Sequence, residues 1–330
     1  MFRYLAGALQ HSRMTRTALL VAFFPFLAAC RKETLSLDTF HEVASPVRDD
    51  LSAIWMTDTL HGVAVGGTPW ASGCILSTAD GGHSWQTDTL LGRKMECVRF
   101  DTSGQGYVCG QDFALFRPPG NRHWTGFRVN YYWNRACYFP DNQHGAMVDG
   151  GGFQSGQIST FGPDAFWQLD TVQEMPNALA DVWFSDANTA HAVGIGWVLR
   201  SADAGRHWQR LDPTGDFFRS VRFPTPDTGY ICGSSGVLLK TTDGGLSWQT
   251  IRKGGSTGRR NRPFRALWFV DAEKGYVVGD GGLFWYTENG GKDWMQVAEA
   301  PSDADFTAVF ALGRRGWAVA KNGRMFYFEK

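Results

Sequence analysis

A repeat of about 42 residues runs through this chain and limits its fold more than any other feature. Seven stretches share an apolar run ending in an aromatic residue or Met, a polar turn, and then Gly-aromatic/Val-x-Val/Cys-Gly. The residue that opens the second run, Gly in all but one unit, falls at 62, 106, 145, 190, 229, 275 and 316. Six residues before each stands Met56, Phe100, Phe139, Phe184, Phe223, Phe269 or Phe310. Each unit holds short β-type runs separated by turn residues; in the fifth these are Ser220-Val-Arg-Phe, Tyr230-Ile-Cys, Val237-Leu-Leu-Lys and Trp248-Gln-Thr-Ile.

Four strands per unit of this length predict a propeller blade, which buries its two faces only against neighbouring blades. The fold class predicted is therefore all-β: a seven-bladed β-propeller over residues 30–330, with blades starting near 52, 95, 135, 179, 218, 264 and 306. The last unit ends on its third strand, Arg324-Met-Phe-Tyr-Phe-Glu-Lys330, while Thr39-Phe-His-Glu-Val-Ala-Ser precedes the first unit and resembles a missing fourth. An N-terminal strand closing the last blade is expected from that pairing. The composition fits: 40 Gly supply turns, and 14 Trp supply large packed side chains.

Residues 1–29 read as an export signal rather than as fold. They hold no acid, three arginines (Arg3, Arg13, Arg16), and a 12-residue apolar run from Ala18 to Ala29, too short to span a membrane as a helix. Met14 is an alternative start. The run ends in Leu27-Ala-Ala-Cys30, which resembles the lipobox of bacterial lipoproteins; the resemblance implies cleavage before Cys30 and a lipid on its thiol. An envelope location follows, with the outer membrane favoured because Arg31, not Asp, follows that Cys. From Cys30 onward the chain carries 29 basic and 32 acidic residues, which argues against a nucleic-acid binder working through bulk positive charge. Beyond Cys30, the five cysteines at 74, 97, 109, 137 and 232 are an odd number. Cys97 and Cys109 are placed to face each other across one hairpin. No Cys/His spacing suggests zinc, and no metal or cofactor is expected.

Four units carry a further motif. It reads Thr78-Ala-Asp80-Gly-Gly82-His-Ser84-Trp85 in the first, Ser201-Ala-Asp203-Ala-Gly205-Arg-His-Trp208 in the fourth, Thr241-Thr-Asp243-Gly-Gly245-Leu-Ser247-Trp248 in the fifth, and Thr287-Glu-Asn289-Gly-Gly291-Lys-Asp-Trp294 in the sixth. Units two and three keep only Trp124 and Trp167. A structural role is expected: the carboxylate accepts turn amides, Gly supplies a positive φ and Trp fills the gap between layers. Four near-identical copies without a second carboxylate suit neither a single active site nor calcium.

The motif resembles the Asp-box, or BNR, repeat. Together with Gly-Tyr-x-x-Gly over residues 52–330, the chain looks most like the photosystem II stability/assembly factor family. That resemblance implies an exported, non-catalytic, protein-binding scaffold whose partner is another exported or membrane protein. The arginines suggest where it would bind. Arg135, Arg219 and Arg265 occupy one equivalent position, ten residues before the unit glycine, and adjoining loops add Arg93, Lys94, Arg259, Arg260 and Arg262. Trp70, Tyr131, Tyr132 and Trp133 add aromatic edges. Arg99 and Arg222 stand where other units have Trp or Tyr, which reads as stacking against a neighbouring ring. The alternative is a glycan-binding or sialidase/glycoside-hydrolase-like propeller. Trp70 and Trp133 would be its stacking platforms, and Glu174, Asp181 and Asp216 its acids on one face. The sialidase start signature is missing, and Asn261-Arg-Pro-Phe264 is a poor echo of it.

Overall fold

The computed structural model describes residues 34–330 apart from 142, 153–154, 163–168, 213–214 and 256–261. Cys30, Arg259 and Arg260 lie outside the described residues, as do Trp167 and Asn261. Every regular element described is a β-strand. In unit one the strands Leu51–Met56, Gly62–Gly66, Gly73–Thr78 and Gln86–Leu91 pair antiparallel in chain order. Their burial explains the pattern: the second strand is buried throughout, whereas the fourth is largely solvent-facing. A blade sandwiched between neighbours has this gradient from axis to rim.

The inner strands form a ring. Leu51–Met56 packs on Met95–Phe100, that strand on Thr125–Tyr138, and so on through Leu179–Phe184, Phe218–Arg222 and Phe264–Phe269 to Phe306–Leu312, which returns to Leu51–Met56. The sheets do not number seven, however. Five separate blade-type sheets are present, and units two and three share one six-stranded sheet across 95–175. The cause lies in two uninterrupted strands, Gly106–Arg117 and Thr125–Tyr138. In the first, Asp112 adopts φ 64° at a register break, so the strand bends without ending. In the second, Tyr-Tyr-Trp continues the extended chain where other units have a loop.

The N-terminal segment joins two sheets. Thr34–Leu35 runs parallel to Met295–Val297 of unit six, and Thr39–Val43 pairs antiparallel with Met325–Glu329 of unit seven.

The unit glycines have a shared steric reason. A Cβ on Gly145 would lie 2.0 Å from the Phe139 ring, and one on Gly275 2.5 Å from Phe269. The aromatic anchor of the first strand thus lies flat over the glycine that pairs with it. Unit seven departs from the expected offset: Gly316 pairs with Ala311, and Phe310 pairs with Trp317. A two-residue turn at Gly313-Arg314 shortens that hairpin by one residue and shifts Phe310 onto the channel side.

The Asp-box turns bond within themselves and to the preceding unit of the ring. In the first, Asp80 accepts from Ser84 N at 2.9 Å and Ser84 Oγ at 2.6 Å, while Gly82 N donates to Thr78 Oγ1 at 2.9 Å. Trp85 Nε1 donates to Gly82 O at 3.2 Å, and Trp208 Nε1 to Gly205 O at 2.8 Å. Trp248 and Trp294 instead stand edge-on to Phe223 and Phe269. The turn carbonyls receive the neighbouring unit: Trp317 Nε1 donates to Gly81 O at 2.7 Å, Tyr230 OH to Gly290 O at 2.9 Å and Thr160 Oγ1 to Gly205 O at 2.6 Å. His191 Nε2 lies 3.2 Å from Gly244 O, and burial drives its pKa down to about 3, so the ring stays neutral.

These turns set a pH dependence. Hydrogen bonds from Ser84 to Asp80 and from Ser247 to Asp243 hold both carboxyls at about 2, and Asp203 also sits at about 2. A folded value below the unfolded value of roughly 3.9 stabilises above that pH and is lost as pH falls through about 2. These groups are largely exposed, so solvent screening leaves about 0.5 kcal/mol each. Asp243→Asn should therefore flatten the fall in urea-unfolding stability between pH 5 and pH 2. An unchanged slope would remove the Asp-box carboxylates as its source. Asn289 shows the amide fits, with Asp293 N donating to its Oδ1 at 2.9 Å.

Candidate functional site

Each inner strand bulges by one residue, at its second position in six of the seven and near the end of Thr125–Tyr138 in the other. The bulged residues, skipped by the ladders, are Ser52, Glu96, Arg135, Ala180, Arg219, Arg265 and Thr307. A bulge re-aims its side chain, and here all seven line one axial cavity of about 580 Å³. Lys94, Trp133, Phe217, Asp50 and Lys321 complete its charged and aromatic wall. The expected arginine trio therefore converges, together with Lys94 and Trp133.

The three arginines are not equivalent. Arg265 is held bidentate by Asp280 at 2.9 and 2.8 Å, which keeps it charged and neutralised. Arg135 lies 3.7 Å over Trp133 and 3.6 Å from Glu96. Burial pushes nearby Asp149 up to about 7, which weakens its compensation of Arg135. Arg219 donates to Ser234 Oγ at 2.7 Å and lies 3.7 Å over Phe217, but among the described residues it has no ion pair. Burial, then the charges of Arg265 and Arg135, push its pKa down to about 10. A guanidinium held this way gains from any anion that enters the cavity.

A narrower cavity of about 100 Å³ continues below. Its wall holds Arg99, Asp181 and Arg222, all buried. Asp181 accepts from Ser220 Oγ at 3.0 Å and Val221 N at 3.1 Å, pairs with Arg222, and lies 3.8 Å from Arg99. The stacking expected of the two arginines is present, Arg99 over Trp55 at 5.4 Å and Arg222 over Trp183 at 4.8 Å. The carboxylate between them is Asp181, expected only as an acid of the enzyme alternative and found as the partner of both arginines. Trp55, Trp268, Phe310, Trp183 and Tyr138 then pack ring against ring at the same strand position.

Other expected binding residues stand outside the cavity wall. Arg93 is held by Asp112 at 3.2 Å, and Arg262 bonds Gly281 O. Trp70 is 54% exposed at φ 62° and meets Trp133 edge-on at 6.0 Å. Tyr131 belongs to the strand Thr125–Tyr138, its side chain outside what is described. The acids of the enzyme alternative are dispersed: Asp181 is consumed by its ion pairs, Asp216 accepts from Ser235 Oγ at 2.6 Å, and Glu174 is exposed on an outer strand. They do not face one another across a cleft.

Fold and site together define an Asp-box β-propeller with a basic axial cavity. Residues 207–322 match the family model described as photosynthesis system II assembly factor YCF48. A curated relative, the photosystem II assembly lipoprotein Ycf48 of Synechococcus sp. (strain CC9902), is 35% identical over 106 residues. That stretch is 29% of this chain and 31% of the relative, so the chain spans about a third of the length of the curated protein it matches. Among solved structures, YCF48 bound to D1 peptide superimposes with TM-score 0.69 at 16% identity, covering 90% of this chain and 99% of that one. YCF48 from Cyanidioschyzon merolae gives 0.65 at 15% identity, covering 88% and 98%. The WD40 repeats of RRP9 give 0.69 at 10% identity, covering 90% and 99%. These likenesses are of fold.

Proposed function

We propose that this chain is a non-catalytic scaffold that binds an anionic segment of another exported or membrane protein in the axial cavity, in the manner of photosystem II assembly factors. The observation that carries the reading is Arg219, half-buried in the cavity wall with two other arginines and, among the described residues, without an ion-pair partner. Carboxylates of a peptide, terminal or side-chain, supply what it lacks, and Trp133 with Phe217 supplies an apolar edge. The similar structure named for a bound D1 peptide supports a peptide as occupant. A glycan is disfavoured, because Arg135 already covers the Trp133 face that a sugar would need.

The location proposed is a lipid anchor at Cys30 in the cell envelope, supported by the lipoprotein name of the curated relative. The outer-membrane preference drawn from Arg31 has no such support and is not carried further. We count the six-stranded sheet as two blades sharing unbroken strands. The ring order of seven inner strands supports the sevenfold reading.

The test is Arg219→Glu against wild type, with cross-linking and recovery of partners from the native envelope. Binding is expected to fall roughly 30-fold, about 2 kcal/mol, with a steep salt dependence in the wild type. Arg219→Gln should leave urea stability unchanged or higher, since a half-buried charge without an ion-pair partner among the described residues is removed. Equal partner recovery by folded Arg219→Glu would refute the docking site.

A further inference from the structure

Cys97, Cys109 and Cys137 meet at the seam between units two and three. Their sulfurs all lie within 4.8 Å of one another, and Cys97 Sγ to Cys137 Sγ is 3.9 Å. All three thiols are buried and free. Cys97 and Cys109 are directly opposed on Met95–Phe100 and Gly106–Arg117, and Cys137 comes from Thr125–Tyr138. The cluster is thus held by three rigid strands.

We propose that these three cysteines form a three-coordinate thiolate site for a soft monovalent cation of the copper(I) type. Metal–sulfur bonds of about 2.3 Å around a trigonal ion place the sulfurs about 4.0 Å apart, which Cys97 and Cys137 already match at 3.9 Å and which the whole cluster, within 4.8 Å, approaches. A disulfide would instead draw two of them to about 2.05 Å and strand the third. The donor set selects among metals. It holds three sulfurs and, among the described residues, no histidine or carboxylate, so a tetrahedral zinc site lacks its fourth ligand. The neighbouring small cavity, lined by Cys109, Cys137 and Met147, offers only a further soft sulfur.

A route and a charge balance are also in place. Cys97 lines the lower axial cavity, which lies beneath the open basic mouth, so an ion reaches the cluster through the channel. Arg99, two residues further on, lines the same cavity. With Arg222 and Asp181 it leaves one positive charge in excess, which offsets part of the anionic copper–trithiolate centre. Binding forms three copper–sulfur bonds and releases the three thiol protons, with no electron transferred.

The experiment is an anaerobic titration of the reduced, metal-free full chain with copper(I) presented as its bathocuproine disulfonate complex. One copper per chain should be withdrawn from the chelator, and copper X-ray absorption should show sulfur neighbours only. Cys97→Ala and Cys137→Ser should each weaken retention about 100-fold or more, because one of three bonds is lost. Cys232→Ser, buried elsewhere in the ring, should not. Copper should also protect the three wild-type thiols from alkylation, a readout that survives if a variant misfolds. Copper left wholly with the chelator, retention unchanged in folded Cys137→Ser, tighter binding of zinc(II), or a disulfide joining two of the three in the isolated protein would each overturn the assignment.

Discussion

Asp181→Ala should destabilise the protein by about 3–5 kcal/mol, a third or more of the stability of an ordinary domain. The carboxylate is 4% exposed and is the acidic partner of two buried guanidiniums, Arg99 and Arg222. Its loss leaves both charges in the channel and removes the acceptor for Ser220 Oγ and Val221 N. Urea unfolding measures the effect as a lowered midpoint with an unchanged slope. Asp181→Asn separates the causes, because the amide oxygen still accepts from Val221 N while the charge is gone. If charge dominates, Asn costs nearly as much as Ala; if hydrogen bonding dominates, it costs about 1 kcal/mol. A loss within about 1 kcal/mol for Ala would mean that water or anions already neutralise the arginines.

The same residues bear on the proposed docking of an anionic partner. Two arginines and one aspartate in its wall leave it positive below a mouth where Arg219 has no ion pair among the described residues. Pairing Arg219 internally would raise stability and fill the place a ligand carboxylate would take. Conflict between fold and charge at that position is what the proposed binding role would require.

Much of this was legible in the repeat, because each unit reuses the same steric device. The glycine that opens the second strand and the aromatic six residues before it mark a ring lying over a bare backbone. The alignment of Arg135, Arg219 and Arg265 placed them on one cavity because a bulge recurs at that position. The sharing of strands by units two and three was less visible. Tyr131-Tyr-Trp133 reads as a loop only if every unit must end before the next begins, whereas its residues favour extended chain. In unit seven, a two-residue turn shifted Phe310 off the anchor position without altering the six-residue spacing. Asp181 stands out within the repeat, because the equivalent residues, Ala53, Cys97, Ala136, Ser220, Ala266 and Ala308, are all small and uncharged. Cys137 was missed as the third thiol because its contact with Cys97 crosses between units, where hairpin reasoning does not reach.

A chain beginning at Ser45 should fail to fold stably, although it keeps every repeat. The segment removed supplies Thr39–Val43, which pairs with Met325–Glu329, and Thr34–Leu35, which pairs with Met295–Val297. Leu37 and Val43 are buried, and Phe40 packs against Phe284, Phe326 and Phe328. At about 1.5–3 kcal/mol for each apolar side chain buried, the segment contributes on the order of 5 kcal/mol, comparable to the net stability of a domain. The exposed edge of Met325–Glu329 would also be free to pair with another chain, so aggregation should accompany the loss. Thermal unfolding and light scattering compare this chain with one beginning at Glu33. A synthetic peptide covering residues 33–45, added in trans, should restore the transition in proportion to its concentration, because a strand needs only to pair. The same peptide with Phe40→Ala should rescue more weakly. A truncated chain that unfolds at the same temperature and remains monomeric would show that the ring holds without its N-terminal strand.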